Sequence, residues 1–232
     1  MGSRTGFSDA RAQGPGPAQR GLFREYAEVI LVCVIVVVFL RGFVFQQSEI
    51  PSGSMEDTLL VGDYIIVNRF IYAPTSFGWE RGIFPIRDPR RGDVIVFKKP
   101  QEPELDFIKR VVGLPGETVE LRRGRLFVDG RAVDEPHIND LYRQAGSFGP
   151  YNVGPDDFFV MGDHRNSSSD SRVWGTVPRH LIKGRAAWIL LSTNPPANDR
   201  NPPGKVTLRS LGGKLYNLVF NARWDRALRL IR

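Results

Sequence analysis

Two serines two residues apart, Ser52 and Ser54, lie in the stretch IPSGSMEDTLLVGD, residues 50–63. A serine hydroxyl is a poor nucleophile at neutral pH and needs a base within hydrogen-bond reach. Gly53 would let the backbone approach a scissile carbonyl closely and turn the Ser54 N–H toward it. The stretch is therefore a candidate nucleophile with an oxyanion donor beside it, and an ordinary polar turn is the alternative.

A candidate base lies in the apolar run DFIKRVVG, residues 106–113. A lysine can accept a proton only if burial lowers its pKa enough to leave it neutral. Strand alternation sets Lys109 on one face with Phe107 and Val111. The other lysines lie in polar, glycine-rich or basic stretches. A Ser–His pair stays open as the alternative, because the chain also contains His137, His164 and His180.

Three motifs follow one another in the chain: PSGSM with TLLVGD, then IKRVVGLPGE, then GDHRNSSSDSRVWGTV. Together they resemble the successive signature boxes of bacterial type I signal peptidases, over roughly residues 25–190. The resemblance implies a mostly β protein, with an antiparallel β-sheet catalytic domain preceded by one transmembrane α-helix. It implies a serine endopeptidase that removes signal peptides from secretory preproteins by a Ser–Lys dyad, cleaving after small residues in an Ala-x-Ala pattern.

The resemblance also implies a role for each site residue. It makes Ser54 the nucleophile, Lys109 the general base, Ser52 the second oxyanion donor and Ser168 the serine that orients the lysine. Asp170 and Arg172 match a supporting charged pair. The substrate cleft would be lined by Ile50, Pro51, Met55, Leu59, Phe107 and Ile108. No cofactor is expected, and no spacing of cysteine and histidine indicates a metal site.

Two residues depart from the family pattern. Asp57 stands where the family commonly has proline before the threonine, which adds a charge close to the cleft and can alter a turn. His164 stands in the third motif where asparagine is frequent, and it raises the Ser–His alternative. The signal peptidases of eukaryotic secretory membranes carry histidine at the position of Lys109, so a surface-loop histidine is the favoured interpretation of His164.

The N-terminal part of the chain predicts a membrane anchor over residues 25–46. Val29–Leu40 is an unbroken apolar run, and the twenty residues from Tyr26 to Phe45 are enough to cross a bilayer as a helix. A buried core helix and a cleaved signal peptide are the alternatives. The run has no polar face, and bulky residues follow it, which favours a retained anchor. Residues 1–24 are predicted to be a disordered cytoplasmic segment, because arginines precede the anchor.

Residues 47–193 predict a β-rich catalytic domain, because short runs of Val, Ile and Phe alternate with turn residues. The sequences RRGR and VDGR are typical of hairpin turns. The region of about 115–157 matches the variable region of the family, and its hairpins are expected to project from the core. The substrate would add as an extended strand to a sheet edge.

Residues 194–232 predict a Pro-rich linker and a basic amphipathic C-terminal helix, with Trp224, Leu228 and Ile231 on its apolar side. Such a helix suits either a membrane surface or a docked position on the fold. The net charge of +7 arises mainly in residues 1–24 and 205–232. That distribution suggests a lipid bilayer as partner and not a nucleic acid.

These features predict a single-pass protein of the bacterial cytoplasmic membrane, with its catalytic domain on the outer face. Cys33 is the single cysteine, which excludes an intramolecular disulfide. Two competing functions are a self-cleaving Ser–Lys regulatory protein and an inactive membrane scaffold. The first function does not explain the anchor, and it would be expected to come with a DNA-binding helix-turn-helix domain, which the sequence does not indicate. The second predicts loss of Ser54 or Lys109, and both are present.

Overall fold

The computed structural model describes residues 22–74, 85–143, 146–194 and 221–231. The chain divides into two compact units between Leu40 and Arg41. The predicted disordered segment falls almost wholly on residues 1–21, outside the described part. The Pro-rich linker beyond Asn194 and residues 205–220 of the tail lie outside it as well.

The first unit contains helix α1, Leu22–Phe39. Its apolar side chains from Val29 to Phe39 are exposed. Helix α1 ends before the C-terminal bound of the predicted anchor, residues 25–46, because a π-helical turn covers Leu40–Val44 and Phe45 belongs to a strand. No helix among the described residues combines the length and the apolar character needed to cross a lipid bilayer.

The second unit is built from two antiparallel sheets, which confirms the mostly β prediction. The larger sheet has the order β1-β2-β11-β3-β4-β9-β10, with β12 added to β11. Its strands are β1 (Phe45–Glu49), β2 (Asp63–Asn68), β3 (Val94–Lys99), β4 (Glu102–Gly113), β9 (Asp157–Met161), β10 (Val177–Pro178), β11 (Ile182–Ser192) and β12 (Arg229–Leu230). The smaller sheet has the order β7-β6-β5-β8 and contains β5 (Thr118–Arg122), β6 (Arg125–Val128), β7 (Arg131–Ala132) and β8 (Phe148–Asn152). A short helix, α2, covers Ser171–Trp174.

The two predicted hairpin turns are confirmed in the smaller sheet. Arg123 and Gly124 connect β5 to β6 with φ values of 49° and 78°. Asp129 and Gly130 connect β6 to β7 with φ values of 48° and 74°. Two successive positive φ angles match the right-handed twist of the flanking strands, and Gly and Asp adopt them at low cost.

The predicted amphipathic helix at the C-terminus is wrong for the residues that the structure describes. Residues 221–231 form a single 3-10 turn, Trp224–Arg226, followed by strand β12. Leu230 pairs with Trp188 of β11, and Ile231 is buried in the core. The sequence left open whether this segment lies on a membrane surface or docks on the fold. The described residues dock on the fold, and they do so as a strand and not as a helix.

Three clusters of buried side chains form the core. The first joins strands β2, β3 and β11 to the segment that contains the paired serines, through Ile50, Met55 and Leu59. Ile231 belongs to the same cluster. The core therefore fixes the position of the serine segment directly.

Candidate active site

The serines lie on residues 50–63, called here the nucleophile loop. Its ends are tied together, since the Ile50 N–H donates to Asp63 O at 2.9 Å and the Gly62 N–H donates to Ile50 O at 3.0 Å. A 3-10 turn covers Gly53–Met55, directly after Ser52. Met55 is fully buried in the core and anchors the turn there, while Ser54 faces a cavity.

Lys109 reaches the nucleophile loop from strand β4. Its Nζ lies 2.7 Å from Ser54 Oγ and 2.9 Å from the carbonyl oxygen of Ile108. The side chain is almost completely buried, and its Nζ lies 5.5 Å from the centre of the Phe107 ring. The predicted nucleophile and base are therefore in hydrogen-bond contact, although 55 positions separate them in the chain.

Burial determines the protonation state of this lysine. Desolvation lowers the pKa of Lys109 from 10.5 to about 8, because the charged ammonium is removed from water. The carboxylates of Asp170 and Asp163 act in the opposite direction and favour the ammonium. The neutral amine is then well populated at mildly alkaline pH, which a general base requires.

A cavity of about 480 Å³ opens over this pair. Its wall combines both predicted oxyanion donors with the base and a group of polar side chains, contributed by Ser52, Gly53, Ser54, Glu56, Phe107, Lys109, His164, Ser167 and Ser169. The Ser52 side chain does not cap the 3-10 turn. Ser52 and Ser54 are therefore brought to one wall of one cavity, beside Lys109.

The third motif forms a loop behind the dyad, held by an ion pair. Arg172 Nε and Nη2 both donate to the Asp170 carboxylate at 2.8 Å. Asp170 is fully buried and also accepts from the Gly162 N–H at 3.0 Å. A β-carbon at position 162 would collide with Ser168 and with the carbonyl oxygen of Ser54. Gly162 thus lets this loop approach the nucleophile closely.

Ser168 is close to the dyad, but its contacts differ from the predicted ones. Its Oγ is buried and has no hydrogen-bond partner among the described residues. The hydrogen bonds of Lys109 Nζ go to Ser54 and Ile108 instead. A buried hydroxyl without a partner is costly and is uncommon outside functional sites. The structure therefore places Ser168 beside the site without the predicted hydrogen bond to the lysine.

The predicted cleft residues divide into two groups. Phe107 lines the cavity, Pro51 is exposed, and Ile108 is partly buried and packs against the core. Ile50, Met55 and Leu59 are buried in the core and do not line the cavity. Their side chains anchor the nucleophile loop, and their assignment to the substrate cleft stays a prediction.

A buried polar cluster next to the site was not predicted. The guanidinium of Arg110 donates to both carboxylate oxygens of Asp163, at 2.8 Å and 2.7 Å, and to Thr58 Oγ1 at 3.0 Å. Arg110 and Asp163 are both buried. The sequence contained a signal for this cluster, since Arg110 directly follows the base and Asp163 is the second residue of the third motif. A buried bidentate pair fixes β4 against this motif.

Part of the region predicted to project from the core packs against the site. Arg165, in the third motif, forms a buried ion pair with Glu135. Asn166 donates to the Leu141 carbonyl at 3.0 Å. The Tyr142 ring contacts the His164 ring at 4.1 Å between centres. Residues 135–142 therefore support the third motif, whereas the smaller sheet carries the hairpins.

The two departures from the family pattern have structural explanations. Asp57 has a φ of 81°, which proline cannot adopt, and its Oδ2 accepts from the Asn139 N–H at 3.0 Å. His164 Nδ1 lies 3.2 Å from Glu56 Oε2. The base position at Ser54 Oγ is occupied by Lys109, so the geometry favours a Ser–Lys over a Ser–His arrangement.

Comparison with known proteins identifies the family of this chain. A family model described as "Signal peptidase, peptidase S26" matches residues 23–191. The chain belongs to this family. It is 35% identical over 218 residues to signal peptidase I of Pseudomonas aeruginosa, covering 78% of this chain and 77% of the relative. It is 41% identical over 169 residues to signal peptidase I of Leptolyngbya laminosa, covering 70% and 76%.

A solved structure is also similar in sequence. The crystal structure of a signal peptidase I from Enterococcus faecalis V583 is 32% identical, covers 43% of this chain and 97% of its own, and has a TM-score of 0.39. The family relationship makes this chain a hydrolase, a serine protease of signal peptidase type.

Proposed function

We propose that the protein is a membrane-anchored endopeptidase that removes signal peptides from secretory preproteins with a Ser54–Lys109 dyad. The observation that carries the proposal is the 2.7 Å contact between Lys109 Nζ and Ser54 Oγ in a buried setting that lowers the lysine pKa. Family membership supplies the reaction class.

The first chemical step is attack on the scissile carbonyl. The neutral amine of Lys109 accepts the Ser54 proton as the hydroxyl oxygen bonds to the carbonyl carbon. The negative charge that develops on the carbonyl oxygen is stabilised by the Ser54 N–H and the Ser52 hydroxyl, which belong to two residues that line the cavity. The Lys109 ammonium then donates its proton to the leaving amine. The product is an ester between Ser54 and the signal peptide, and the mature protein departs.

The second step releases the signal peptide. Neutral Lys109 takes a proton from a water molecule as the water oxygen attacks the ester carbonyl carbon. The bond from Ser54 Oγ to that carbon then breaks, the Lys109 ammonium returns the proton to Ser54 Oγ, and the signal peptide leaves with a free carboxyl group. The Ile108 carbonyl keeps the Lys109 Nζ directed toward Ser54 throughout. We propose Ser168 as a positioning residue, because its buried hydroxyl has no partner among the described residues and lies beside Gly162 and the Ser54 backbone. Asp170 and Arg172 hold the loop that carries it.

The substrate is proposed to bind as an extended strand along β4. Phe107, Ile108 and Lys109 pair with β3 on one side, and the pairing of β4 with β9 begins only at Arg110. The other edge of β4 is therefore open next to the dyad among the named strands. Main-chain hydrogen bonds along such an edge suit a substrate of variable sequence. Cleavage after small residues, Ala-x-Ala, follows from the usual form of the signal peptide cleavage site.

Membrane attachment is proposed from two exposed apolar surfaces. The first is α1, whose side chains from Val29 to Phe39 are exposed. The second lies on the larger sheet, where Trp188 and Leu190 of β11 project to the same side and Leu230 of β12 pairs with Trp188. Exposed apolar surfaces of this kind indicate contact with lipid or with a partner. We place the N-terminus in the cytoplasm and the catalytic unit on the outer face of the bacterial cytoplasmic membrane.

The test is a cleavage assay with the full chain in detergent and a preprotein that carries an Ala-x-Ala site. N-terminal sequencing of the product is expected to show cleavage directly after the second alanine, and Ser54→Ala is expected to abolish it. Recovery of the membrane-bound chain after alkaline carbonate extraction tests the anchor. Cleavage that persists in Ser54→Ala would contradict the proposed function.

A further inference from the structure

Glu56 and His164 form one wall of the cavity beside the nucleophile. Both are attached by their backbone to the turn that carries it. The Glu56 N–H donates to the Gly53 carbonyl at 3.0 Å, and the His164 N–H donates to the Ser54 carbonyl at 3.2 Å. The two side chains are therefore carried at a fixed place relative to Ser54.

The Glu56 carboxylate is held from several directions. Its Oε2 lies 3.2 Å from His164 Nδ1. Its Oε1 lies against Gly53, where a β-carbon would collide with it. The His164 ring is in turn packed against Tyr142. The Glu56 side chain remains 34% exposed and the His164 side chain 19%, so a substrate can reach both.

The charge of this wall is directed toward the open cavity. The carboxylates that act on the Lys109 amine are Asp170 and Asp163, behind the dyad. Glu56 has no ion pair with a lysine or arginine among the described residues. The Glu56 carboxylate contacts the His164 ring through Nδ1, and no guanidinium or ammonium group among the described residues compensates its charge. A substrate chain that lies over Ser54 therefore passes close enough to the Glu56 carboxylate for one of the substrate side chains to reach it.

We propose that Glu56, held in place by His164, is a specificity-determining residue that favours a Lys or Arg side chain at one substrate position flanking the scissile bond. The same carboxylate disfavours an acidic side chain there. The inference rests on the proposed signal peptidase activity and adds a charge preference to it.

The test compares substrates in the full chain in detergent at pH 8.5. Peptides with an Ala-x-Ala site carry Lys, Ala or Glu at each of the three positions on either side of the cleaved bond. The expected result is one position at which kcat/KM for Lys exceeds that for Glu roughly fivefold, since partly exposed ion pairs contribute modestly. In Glu56→Gln that ratio is expected to fall to about one. In Glu56→Lys it is expected to invert.

The matched control is Glu120→Gln, in the smaller sheet, where the carboxylate pairs with Arg122. It should keep the wild-type ratio. Equal kcat/KM for Lys and Glu at every position, or a ratio that survives in both Glu56 variants, would overturn the inference while leaving the peptidase activity intact. Failure of the wild-type chain to cleave the alanine peptides would overturn the proposed function, and the inference with it.

Discussion

The Arg226 guanidinium donates to the buried Asp63 carboxylate, with Nη2 2.7 Å from Oδ2. The same nitrogen donates to the Thr58 carbonyl at 3.1 Å. The backbone carbonyl of Asp63 in turn closes the nucleophile loop by accepting from the Ile50 N–H. Two residues 163 positions apart therefore hold the loop that carries Ser54.

Arg226→Ala is expected to lower the free energy of unfolding by about 3 kcal/mol, because it leaves a buried carboxylate with fewer cationic partners. Arg223, whose Nε donates to Ser192 Oγ and whose Nη2 lies 3.5 Å from Asp63, retains part of the cluster. Urea unfolding of the full chain in detergent measures the change. Arg229→Ala, at an exposed position of β12, is the control and should change it by less than about 0.5 kcal/mol. Equal stability of both variants would show that the Asp63 cluster contributes nothing.

The tail shows why a local pattern does not determine a structure. Arginines and apolar residues alternate there at a spacing that fits an amphipathic helix. The same residues satisfy a different arrangement, in which Arg223 and Arg226 reach Asp63 and Ile231 enters the core. The partner lies far away in the sequence, so no local pattern reveals it.

The motifs were more informative than the tail, because strand alternation and turn composition depend on neighbouring residues in the sequence. Strand alternation around Lys109 predicts its face correctly, and the Asp–Gly pair predicts its turn. The burial of Met55 and Leu59 in the core was not predicted, because an apolar residue beside a nucleophile can line a cleft or anchor the loop that carries it. Only the packing of the core distinguishes these two roles.

Asp57→Pro is expected to destabilise the protein by about 3 kcal/mol or more and to reduce cleavage, because proline cannot adopt the positive φ at this position. Asp57→Asn should stay within about 0.5 kcal/mol of wild type, since asparagine tolerates the left-handed region and retains an acceptor for the Asn139 N–H. Thermal unfolding and kcat/KM of both variants check this. A stable Asp57→Pro would mean that the loop adopts another conformation.

The pH profile of cleavage should report the lysine. Because the base is active only when neutral, kcat/KM is expected to rise with pH through a pKa near 8 and then level off. Initial rates with an Ala-x-Ala peptide from pH 6 to 10 measure the profile. A midpoint near 6.5 would instead indicate a histidine base.

Stability should depend on pH through the same group. The pKa of Lys109 is lower in the folded protein than its ordinary value of 10.5, so the unfolded chain binds more protons between pH 8 and 10.5. This group therefore makes the free energy of unfolding rise with pH across that window, by about 3 kcal/mol in total. Below pH 8 its full destabilising effect is present. Measuring the free energy of unfolding against pH for wild type and for Lys109→Met isolates the effect. Parallel curves of free energy against pH for the two proteins would contradict the lowered pKa.

Ser52→Ala is expected to lower kcat roughly 100-fold with a small change in KM, because the hydroxyl donates to the oxyanion only as the transition state forms. Steady-state kinetics with one Ala-x-Ala peptide provides both constants. Ser147→Ala removes a hydroxyl that bonds the Arg123 N–H in the smaller sheet and serves as the matched control. An unchanged kcat in Ser52→Ala would remove this residue from the oxyanion site.

The Ser54–Lys109 dyad is tested most directly by the rate of preprotein cleavage by Lys109→Ala, measured beside wild type and Ser54→Ala in detergent. Circular dichroism and the urea midpoint establish that each variant is folded. The predicted result is a folded Lys109→Ala protein whose cleavage rate is as low as that of Ser54→Ala. A folded Lys109→Ala protein that cleaves at a rate close to wild type would contradict the account.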